Sequence, residues 1–339
     1  MQREEINLAV DEINACGGVL GRPLKVIHED DETHPQAAMD AIHKLIDINR
    51  VPLVTGTWAS GCGIPAATYT NKLGVPYINS CATTQNMREI GPWVFSVIPD
   101  NLAMGRAVTE FAIKDSGQKV FSILTLNNEY GISLAEVIRE TVEKAGGKIL
   151  DEVRYDSGKA DYRAELQRLI SHNPPYVLYN AYPQDAPVIN KQAYELGIEP
   201  GLDKWYATFL IMSTTAIPPE VMEGMKGNEC GGAYTGSSSE EAETERVNNF
   251  HEKFKEKYGL YSDQPWAIFA YDVIWVAAIA INFAGSTEPE AIKKALPTAF
   301  RVYKGASAGG VKVVDEDGSQ IYGTFPTLVC HDGEYLPYK

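Results

Sequence analysis

The chain has 339 residues, of which 44% are hydrophobic, and its formal net charge is −15. This length allows one or two domains with substantial cores. The acidic balance argues against nucleic-acid binding as the main function, because neutralising phosphates requires a basic surface.

The N-terminal part of the chain alternates helical and strand patterns. Apolar residues from Ile6 to Ile13 share one helical face, and Gly17 and Gly18 follow as a helix stop. The next elements are predicted strands at 24–29, 53–55 and 75–79 and predicted helices at 37–48 and 64–73.

A second alternating series follows in the middle of the chain. It comprises predicted strands at 120–126, 148–155, 176–180 and 204–208 and predicted helices at 133–145, 162–171 and 187–196. Beyond it we predict a solvated loop or crossover at 231–245, helices at 248–258 and 266–283, and a hairpin at 311–318. Strands that alternate with helices of this length predict an α/β fold with two doubly wound parallel-sheet lobes.

The longest apolar run and the first residues exclude two kinds of membrane segment. The run from Ile268 to Ala280 is interrupted by Asp272 and is too short to span a bilayer. Residues Met1 to Glu5 include three charged side chains and lack the apolar region of a signal peptide. The five cysteines form no C-x-x-C pair, and their odd number predicts a free thiol in a reducing compartment or in an exported protein from an anaerobic setting.

Two strand-to-helix turns carry the most informative polar groups. The first spans Gly56 to Gly63 and the second spans Asn79 to Thr84. Both follow predicted strands at the carboxyl end, where open parallel sheets bind ligands. Ser60, Thr83 and unpaired N–H groups at a helix N-terminus would suit a carboxylate, with about 1.5–3 kcal/mol for each charge-assisted bond. Simple helix capping by the two hydroxyls is the alternative.

Several motifs of other functions are absent or incomplete. The run Gly61 to Ala66 matches the dinucleotide fingerprint G-x-G-x-x-A, but no ribose-binding acid follows the next strand. Ser60 is not a nucleophile elbow, because Trp58 and not glycine precedes it by two. The histidines are scattered, and the acidic run Glu29 to Glu32 is interpreted as a solvated loop. We predict no catalytic residue, metal or cofactor.

Several motifs occur in this order in a known family. They are the run Asn7 to Asn14, the run Gly17 to Leu24, the acids at 29–31, the two turns, and the segments 128–131 and 179–183. Together they resemble the type I periplasmic solute-binding proteins of ABC transporters, the leucine/isoleucine/valine-binding group, over nearly the whole chain. The resemblance implies two lobes joined by a hinge, one of residues 1–101 with 233–324 and one of residues 102–232 with 325–339.

The resemblance also implies the residues that bind the ligand. A carboxylate subsite falls on Ser60 and Thr83, with Ala59 and the backbone of Cys81 and Ala82 beside it. The clamp residues of the second lobe fall on Tyr130 and Tyr182, which lie in the loops after its strands. Trp58 and Phe209 are the aromatic residues expected beside the ligand. Trp266 is a further candidate for the wall.

One departure from the family concerns the ligand's ammonium group. Amino-acid-binding members use a glutamate after the strand near Lys204, whereas the stretch at 206–210 contains no acid. An unpaired ammonium in a closed cleft is costly, so we expect a ligand without an α-amino group. An aromatic or hydroxy acid stacked near Trp58 and Phe209 is the expected substitute, although Asp185 remains a possible source of charge.

A second departure concerns the N-terminus and a disulfide. The family begins with a strand before the first helix, so we expect this sequence to start late and to omit a signal peptide or lipid anchor. The family's usual disulfide positions fall on Thr33 and Ala59. The resemblance implies a periplasmic or extracellular location.

The expected function is capture of a small-molecule carboxylate, branched-chain amino acid-like or aromatic, by hinge closure. The expected partner is an ABC transporter permease, which would be the only link to the membrane apart from a lost anchor. A ligand-sensing receptor or regulator of the same fold is the alternative. An enzyme ranks third, because no base or metal is evident near Ser60.

Overall fold

A computed structural model describes residues 2–198, 200, 204–214, 216–229, 241–259, 268–306 and 325–338. The chain divides into two compact units. Unit 1 comprises Met1–Asp100 and Gly231–Thr324, and unit 2 comprises Asn101–Cys230 and Phe325–Lys339. The predicted hairpin at 311–318 and Trp266 lie outside the described residues.

Unit 1 contains a parallel three-stranded sheet in the order β1-β2-β3. Its strands are β1 (Val54–Gly56), β2 (Tyr77–Asn79) and β3 (Val94–Ser96). Its described helices are α1 (Arg3–Ala15), α2 (Pro35–His43), α3 (Ser60–Leu73), α10 (Glu241–Tyr258), α11 (Ile268–Ala284) and α12 (Pro289–Val302), with a π-helical turn at Lys44–Ile48 and a 3₁₀ helix at Gln85–Glu89. The parallel pairing places the carboxyl ends of β1 and β2 side by side, because Gly56 pairs with Asn79.

The core of unit 1 forms where helices α2 and α3 cover this sheet. Ile42 of α2 and Ala66 of α3 pack with Val54, Tyr77 and Val94 from the three strands, and all are buried. The predicted inward face of the second helix is confirmed, since Ala38 and Ile42 are buried and Leu45 and Ile46 pack against the core. Helix α3 ends at Gly74, whose φ of 68° is the left-handed conformation that stops a helix.

Unit 2 contains a seven-stranded sheet in the order β10-β9-β8-β7-β6-β4-β5. The strands are β4 (Val120–Leu126), β5 (Lys148–Tyr155), β6 (Val177–Tyr179), β7 (Trp205–Thr208), β8 (Lys226–Asn228), β9 (Thr327–His331) and β10 (Glu334–Pro337). The described helices are α4 (Asn101–Ser116), α5 (Glu129–Lys144), α6 (Arg163–Ser171), α7 (Ala186–Glu195), α8 (Leu210–Thr214) and α9 (Pro219–Met222). Strands β4 to β8 are parallel, and β9 and β10 add an antiparallel edge.

Two sequence-based predictions of secondary structure are wrong. Residues 24–29 form no strand. The side chain of Asn14 instead bonds both backbone groups of Leu24, accepting from its N–H at 2.6 Å and donating to its carbonyl at 3.0 Å. The loop predicted at 231–245 is also too long, because helix α10 already begins at Glu241.

Among the described residues, no single helix has the length and hydropathy needed to cross a bilayer; α11 and α12, which are bent by 116° at their break, meet that test only when taken together.

Candidate functional site

The first candidate turn of unit 1 leads from β1 into α3. The helix starts at Ser60, and its first turn closes when Cys62 and Gly63 donate their N–H groups to the carbonyl of Ala59. Among the described residues, none accepts a hydrogen bond from the N–H of Ser60 or Gly61. These two donors, at the positive end of a helix, suit an anionic group.

The second turn follows β2 and is organised by Asn79. Its Oδ1 accepts hydrogen bonds from the N–H groups of Cys81 (3.2 Å) and Ala82 (2.9 Å). Its Nδ2 donates to the carbonyl of Ala82 at 2.6 Å and to Ser96 Oγ at 3.1 Å. The expectation that the amides of this turn are unpaired is therefore wrong for Cys81 and Ala82, because an asparagine side chain bonds them locally.

The structure brings the two turns into direct contact. Ser60 Oγ accepts a hydrogen bond from the N–H of Thr84 at 3.3 Å, and Ser60 is buried. One helical turn further along α3, a Cβ on Gly63 would lie only 2.9 Å from the Cβ of Ala82. The absence of a side chain at Gly63 thus lets α3 approach the second turn closely.

Thr83 lies between these contacts and is also buried. Within the part of the chain that the structure describes, its hydroxyl makes no hydrogen bond. Ser60 uses its oxygen as an acceptor and retains its hydroxyl proton as a donor. Two hydroxyl donors and the N–H groups of Ser60 and Gly61 thus belong to one small region of unit 1. Trp58 and Ala59 are partly buried on the same turn.

The two cysteines of these turns are protonated thiols. Burial, together with the charge of Asp31, raises the pKa of Cys62 to about 12. Burial also raises the pKa of Cys81. Both side chains therefore act as small apolar groups near neutral pH.

Unit 2 brings three predicted aromatic residues together in what we call the ring cluster: Tyr130, Tyr182 and Phe209. The rings of Tyr130 and Tyr182 are nearly parallel, with centroids 5.7 Å apart and an interplanar angle of 8°. Phe209 lies 6.5 Å from Tyr130 at 51°. Each residue follows the carboxyl end of a strand, respectively β4, β6 and β7, which explains why the parallel sheet gathers them.

The turns that carry the ring cluster are joined by buried polar side chains. Asn128 caps α5 by accepting from the N–H of Gly131 at 3.0 Å, and its Nδ2 donates to the hydroxyl of Tyr182 at 3.3 Å. Ser213 Oγ accepts from the N–H of Ala181 at 3.2 Å and donates to the carbonyl of Thr208 at 3.1 Å. The three rings are therefore attached to backbone that is fixed by local hydrogen bonds.

Asp185, the acid suggested as a source of charge, is bonded within its own part of unit 2. It is buried, and its carboxylate accepts hydrogen bonds from Ser157 Oγ (2.5 Å), the N–H of Gly158 (2.8 Å) and the hydroxyl of Tyr162 (2.7 Å). Three local donors compensate this carboxylate and hold the 157–162 loop. These bonds give Asp185 a structural role, and its contribution to the binding of a charged ligand stays a prediction.

Two structural residues of these sites were missed from the sequence. Asn79 was recognisable, because an asparagine at the end of a strand is a signal for local bonding to the next amides. Ser213 lies within α8 and has no local signal, because its partners at 181 and 208 come from different segments.

Comparisons with known proteins agree with this arrangement. The sequence profile of a family described as "Periplasmic binding protein" matches residues 2–325. A leucine-, isoleucine-, valine-, threonine- and alanine-binding protein from Pseudomonas aeruginosa is 26% identical over 303 residues, covering 87% of this chain and 77% of that protein. The fold of a leucine-binding protein, LivK, from Thermotoga maritima superposes with a TM-score of 0.83 at 23% identity, covering 100% of this chain and 93% of that one.

A third relative was solved with an aromatic ligand. It is a solute-binding protein of an ABC transporter from R. palustris in complex with benzoate, with a TM-score of 0.80, 16% identity, and coverage of 98% of this chain and 90% of that one. At this identity the likeness shows the fold.

The matched profile and the fold are those of the periplasmic binding proteins. The chain belongs to the periplasmic binding protein family, type I, in the Leu/Ile/Val-binding group. The Pseudomonas aeruginosa relative is described by the amino acids it binds, and the R. palustris protein of the same fold was solved with benzoate.

Proposed function

We propose that this protein captures a small carboxylate that lacks an α-amino group, with an aromatic acid such as benzoate as the best candidate. The observation that carries the proposal is the ring cluster of unit 2, in which Phe209 stands in the stretch where amino-acid-binding members have a glutamate. On this proposal the protein's partner is an ABC transporter permease. The protein is then located in the periplasm or on the outer face of the cell membrane.

The carboxylate of the ligand is assigned to unit 1. Ser60 and Thr83 each offer a hydroxyl donor, and the N–H groups of Ser60 and Gly61 add two more at the start of α3. Hydrogen bonds to a charged acceptor contribute about 1.5–3 kcal/mol each. Two or three of them, with the burial of an aromatic ring, supply the roughly −8 kcal/mol that micromolar affinity requires.

The apolar part of the ligand is assigned to unit 2. Tyr130, Tyr182 and Phe209 present aromatic surface, and stacked or edge-to-face aromatic pairs contribute about 0.5–1.5 kcal/mol beyond their buried area. A ligand ammonium would need a carboxylate here. Asp185 already has three donors, and Glu229 is buried and accepts from the N–H of Ile211 at 3.0 Å. No acid stands in the stretch at 206–210 to pair with an ammonium, and the rings offer apolar surface to an aromatic group.

The proposed mechanism of ligand capture is a shift in the populations of the open and closed conformations. A ligand that contacts residues of both units binds the closed conformation more tightly and so raises its population. This mechanism needs no covalent step, which agrees with the uncharged thiols of Cys62 and Cys81.

The proposal is tested by thermal unfolding in the presence of separate ligands. Benzoate and small aliphatic carboxylates should raise the Tm of the protein more than leucine or valine does, because binding to the native state alone stabilises it. A larger shift with leucine than with benzoate would contradict the assignment.

A matched pair of variants locates the carboxylate. Ser60→Ala removes a hydroxyl from the start of α3, whereas Thr70→Val removes one from the same helix that only bonds the carbonyl of Ala67 at 2.9 Å. Ser60→Ala should weaken benzoate binding about tenfold or more, as loss of a charge-assisted bond requires, and Thr70→Val should leave it unchanged.

A further inference from the structure

The chain passes between the two units at three crossovers, which lie after Asp100, after Cys230 and before Phe325. The described residues at the unit 2 ends of these crossovers are Asn101, Glu229 and Phe325. Two of them, Asn101 and Glu229, carry buried polar side chains with named partners in unit 2.

Asn101 is bonded to the backbone that carries Tyr130. It is the first residue of α4 and has no exposed surface, and its Nδ2 donates to the carbonyl of Tyr130 at 3.0 Å and to Ser133 Oγ at 2.6 Å. Ser133 Oγ in turn donates to the same carbonyl of Tyr130 at 3.1 Å. The first crossover is thus connected to one ring of the cluster through a single side chain.

The close packing of α4 on α5 makes this connection stiff. A Cβ on Gly105 of α4 would lie 2.9 Å from Cγ1 of Val137 on α5, so the two helices are in close contact one turn beyond Asn101. A shift at the start of α4 is therefore transmitted to α5, which carries Tyr130 in its first turn, rather than absorbed between the helices.

Glu229 makes the equivalent connection to Phe209. Its carboxylate Oε2 accepts from the N–H of Ile211 at 3.0 Å, two residues after Phe209. Its own N–H donates to the carbonyl of Pro326 at 3.0 Å, and Asn228 Nδ2 donates to the carbonyl of Phe325 at 3.3 Å. The second and third crossovers are thus bonded to each other at unit 2 and, through Glu229, to the turn that holds Phe209.

We propose that Asn101 and Glu229 are positioning residues that tie the unit 2 ends of the crossovers to the Tyr130 and Phe209 backbone and so set the geometry of the ring cluster. The inference rests on the proposed function for its link to ligand binding, but the geometry of the rings is measurable without a ligand.

The experiment uses the full chain labelled with 4-fluorophenylalanine and ¹⁹F NMR. The protein has ten phenylalanines, so the spectrum is countable, and Phe209→Leu identifies the Phe209 resonance by its loss. Because the ring of Tyr130 lies 6.5 Å away, its ring current makes that resonance sensitive to displacement of either ring.

Asn101→Ala and Glu229→Ala remove the two connections. Each should shift the Phe209 resonance of the ligand-free protein and, because the rings are displaced, weaken benzoate binding about three- to tenfold. Glu229→Gln keeps an acceptor for Ile211 and should restore both readouts. Asn101→Ser, which is too short to reach the Tyr130 carbonyl, is the milder test if Asn101→Ala does not fold.

Thr109→Val is the matched control. Thr109 lies on the same helix as Asn101 and is fully buried, and within the described chain its hydroxyl has no hydrogen-bond partner. This variant should change neither the Phe209 resonance nor the affinity.

Folded Asn101→Ala, Asn101→Ser and Glu229→Ala proteins with a lowered Tm but an unmoved Phe209 resonance would overturn the inference, since that pattern is a purely structural role. Failure of benzoate to bind the unsubstituted protein would instead count against the proposed function, and the ligand-free resonance would still decide the inference.

Discussion

The ring of Phe209 packs against that of Tyr130, with centroids 6.5 Å apart and an interplanar angle of 51°. Phe209 adopts a φ of 52°, in the left-handed region that costs a side chain about 1–2 kcal/mol. The resemblance to the family also implies that it lies in the stretch where amino-acid-binding members place a carboxylate for the ligand ammonium. An apolar ring in this position, packed on Tyr130, offers no acceptor for that ammonium.

Substitution at Phe209 should therefore change the class of ligand. Phe209→Glu introduces a carboxylate near the ring cluster and should allow leucine binding while weakening benzoate binding at least about tenfold. Phe209→Leu removes the ring without adding charge, so it should weaken benzoate binding but gain no leucine binding. Isothermal titration calorimetry of both variants with both ligands is the measurement. Leucine binding that is equal in the Glu and Leu variants would argue against a role for charge at this position.

The contact between the two turns of unit 1 predicts opposite effects for two neighbouring glycines. A Cβ at Gly63 would lie 2.9 Å from the Cβ of Ala82 and 3.1 Å from Thr57 Oγ1, whereas a Cβ at Gly61 meets no atom within 4 Å. Gly63→Ala should destabilise the protein by about 1–3 kcal/mol through overpacking. Gly61→Ala should be neutral or stabilising by up to about 1 kcal/mol, because alanine favours a helix.

Urea unfolding of the two glycine variants measures the free energy of unfolding of each and so tests both predictions. If Gly63→Ala proves as stable as Gly61→Ala, then α3 does not approach the second turn as closely as described.

Asn79 should be essential to the shape of the second turn. Asn79→Ala leaves the buried N–H groups of Cys81 and Ala82 without their acceptor, and an unsatisfied buried donor costs about 1–3 kcal/mol. We expect a loss of about 2–4 kcal/mol in the free energy of unfolding and faster amide exchange at 81 and 82. Hydrogen exchange measured by NMR resolves these two amides, and unchanged protection there would show that another group accepts from them.

Much of the fold was predictable because its elements have strong local signals. The strand Val120–Leu126 is a continuous apolar run, and the helix before Gly74 has a clear stop residue, so both were assigned correctly. Residues 24–29 contain Leu24, Val26 and Ile27 but form no strand, and Asn14 occupies both backbone groups of Leu24. A strand requires a neighbouring strand, and a local pattern does not specify one.

The candidate site was predictable in its positions but not in its bonding. Strand ends in a parallel sheet locate Tyr130, Tyr182 and Phe209 on one edge, and the structure stacks the first two. The state of the Cys81 and Ala82 amides depends on the rotamer of Asn79, and the state of Asp185 depends on a loop that begins at Ser157. Such contacts depend on side-chain conformation and on segments that are distant in the sequence, and no local sequence pattern predicts them.

One ion pair of unit 2 gives a prediction for pH dependence. The carboxylate of Glu223 bonds His331 Nδ1 at 2.6 Å, which raises the pKa of His331 and lowers the pKa of Glu223. The histidine contribution to stability is present below its ordinary pKa of about 6.5 and is lost as pH rises through the raised value. The glutamate contribution is present above about 4.5 and is lost as pH falls through the lowered value.

An NMR titration of the imidazole protons tests this pair. In Glu223→Gln the pKa of His331 should fall towards its ordinary value. The pKa values of His28 and His251, which burial lowers, should not change and serve as internal references. A His331 titration that is the same in both proteins would show that the pair does not form in solution.

The central claim is that the binding site takes an aromatic carboxylate in preference to an α-amino acid. The most direct measurement is calorimetric titration of the purified, ligand-free protein with benzoate and, separately, with L-leucine under identical conditions. We predict a micromolar Kd for benzoate, corresponding to about −8 kcal/mol, and at least about tenfold weaker binding of leucine. Tighter binding of leucine than of benzoate would contradict the account.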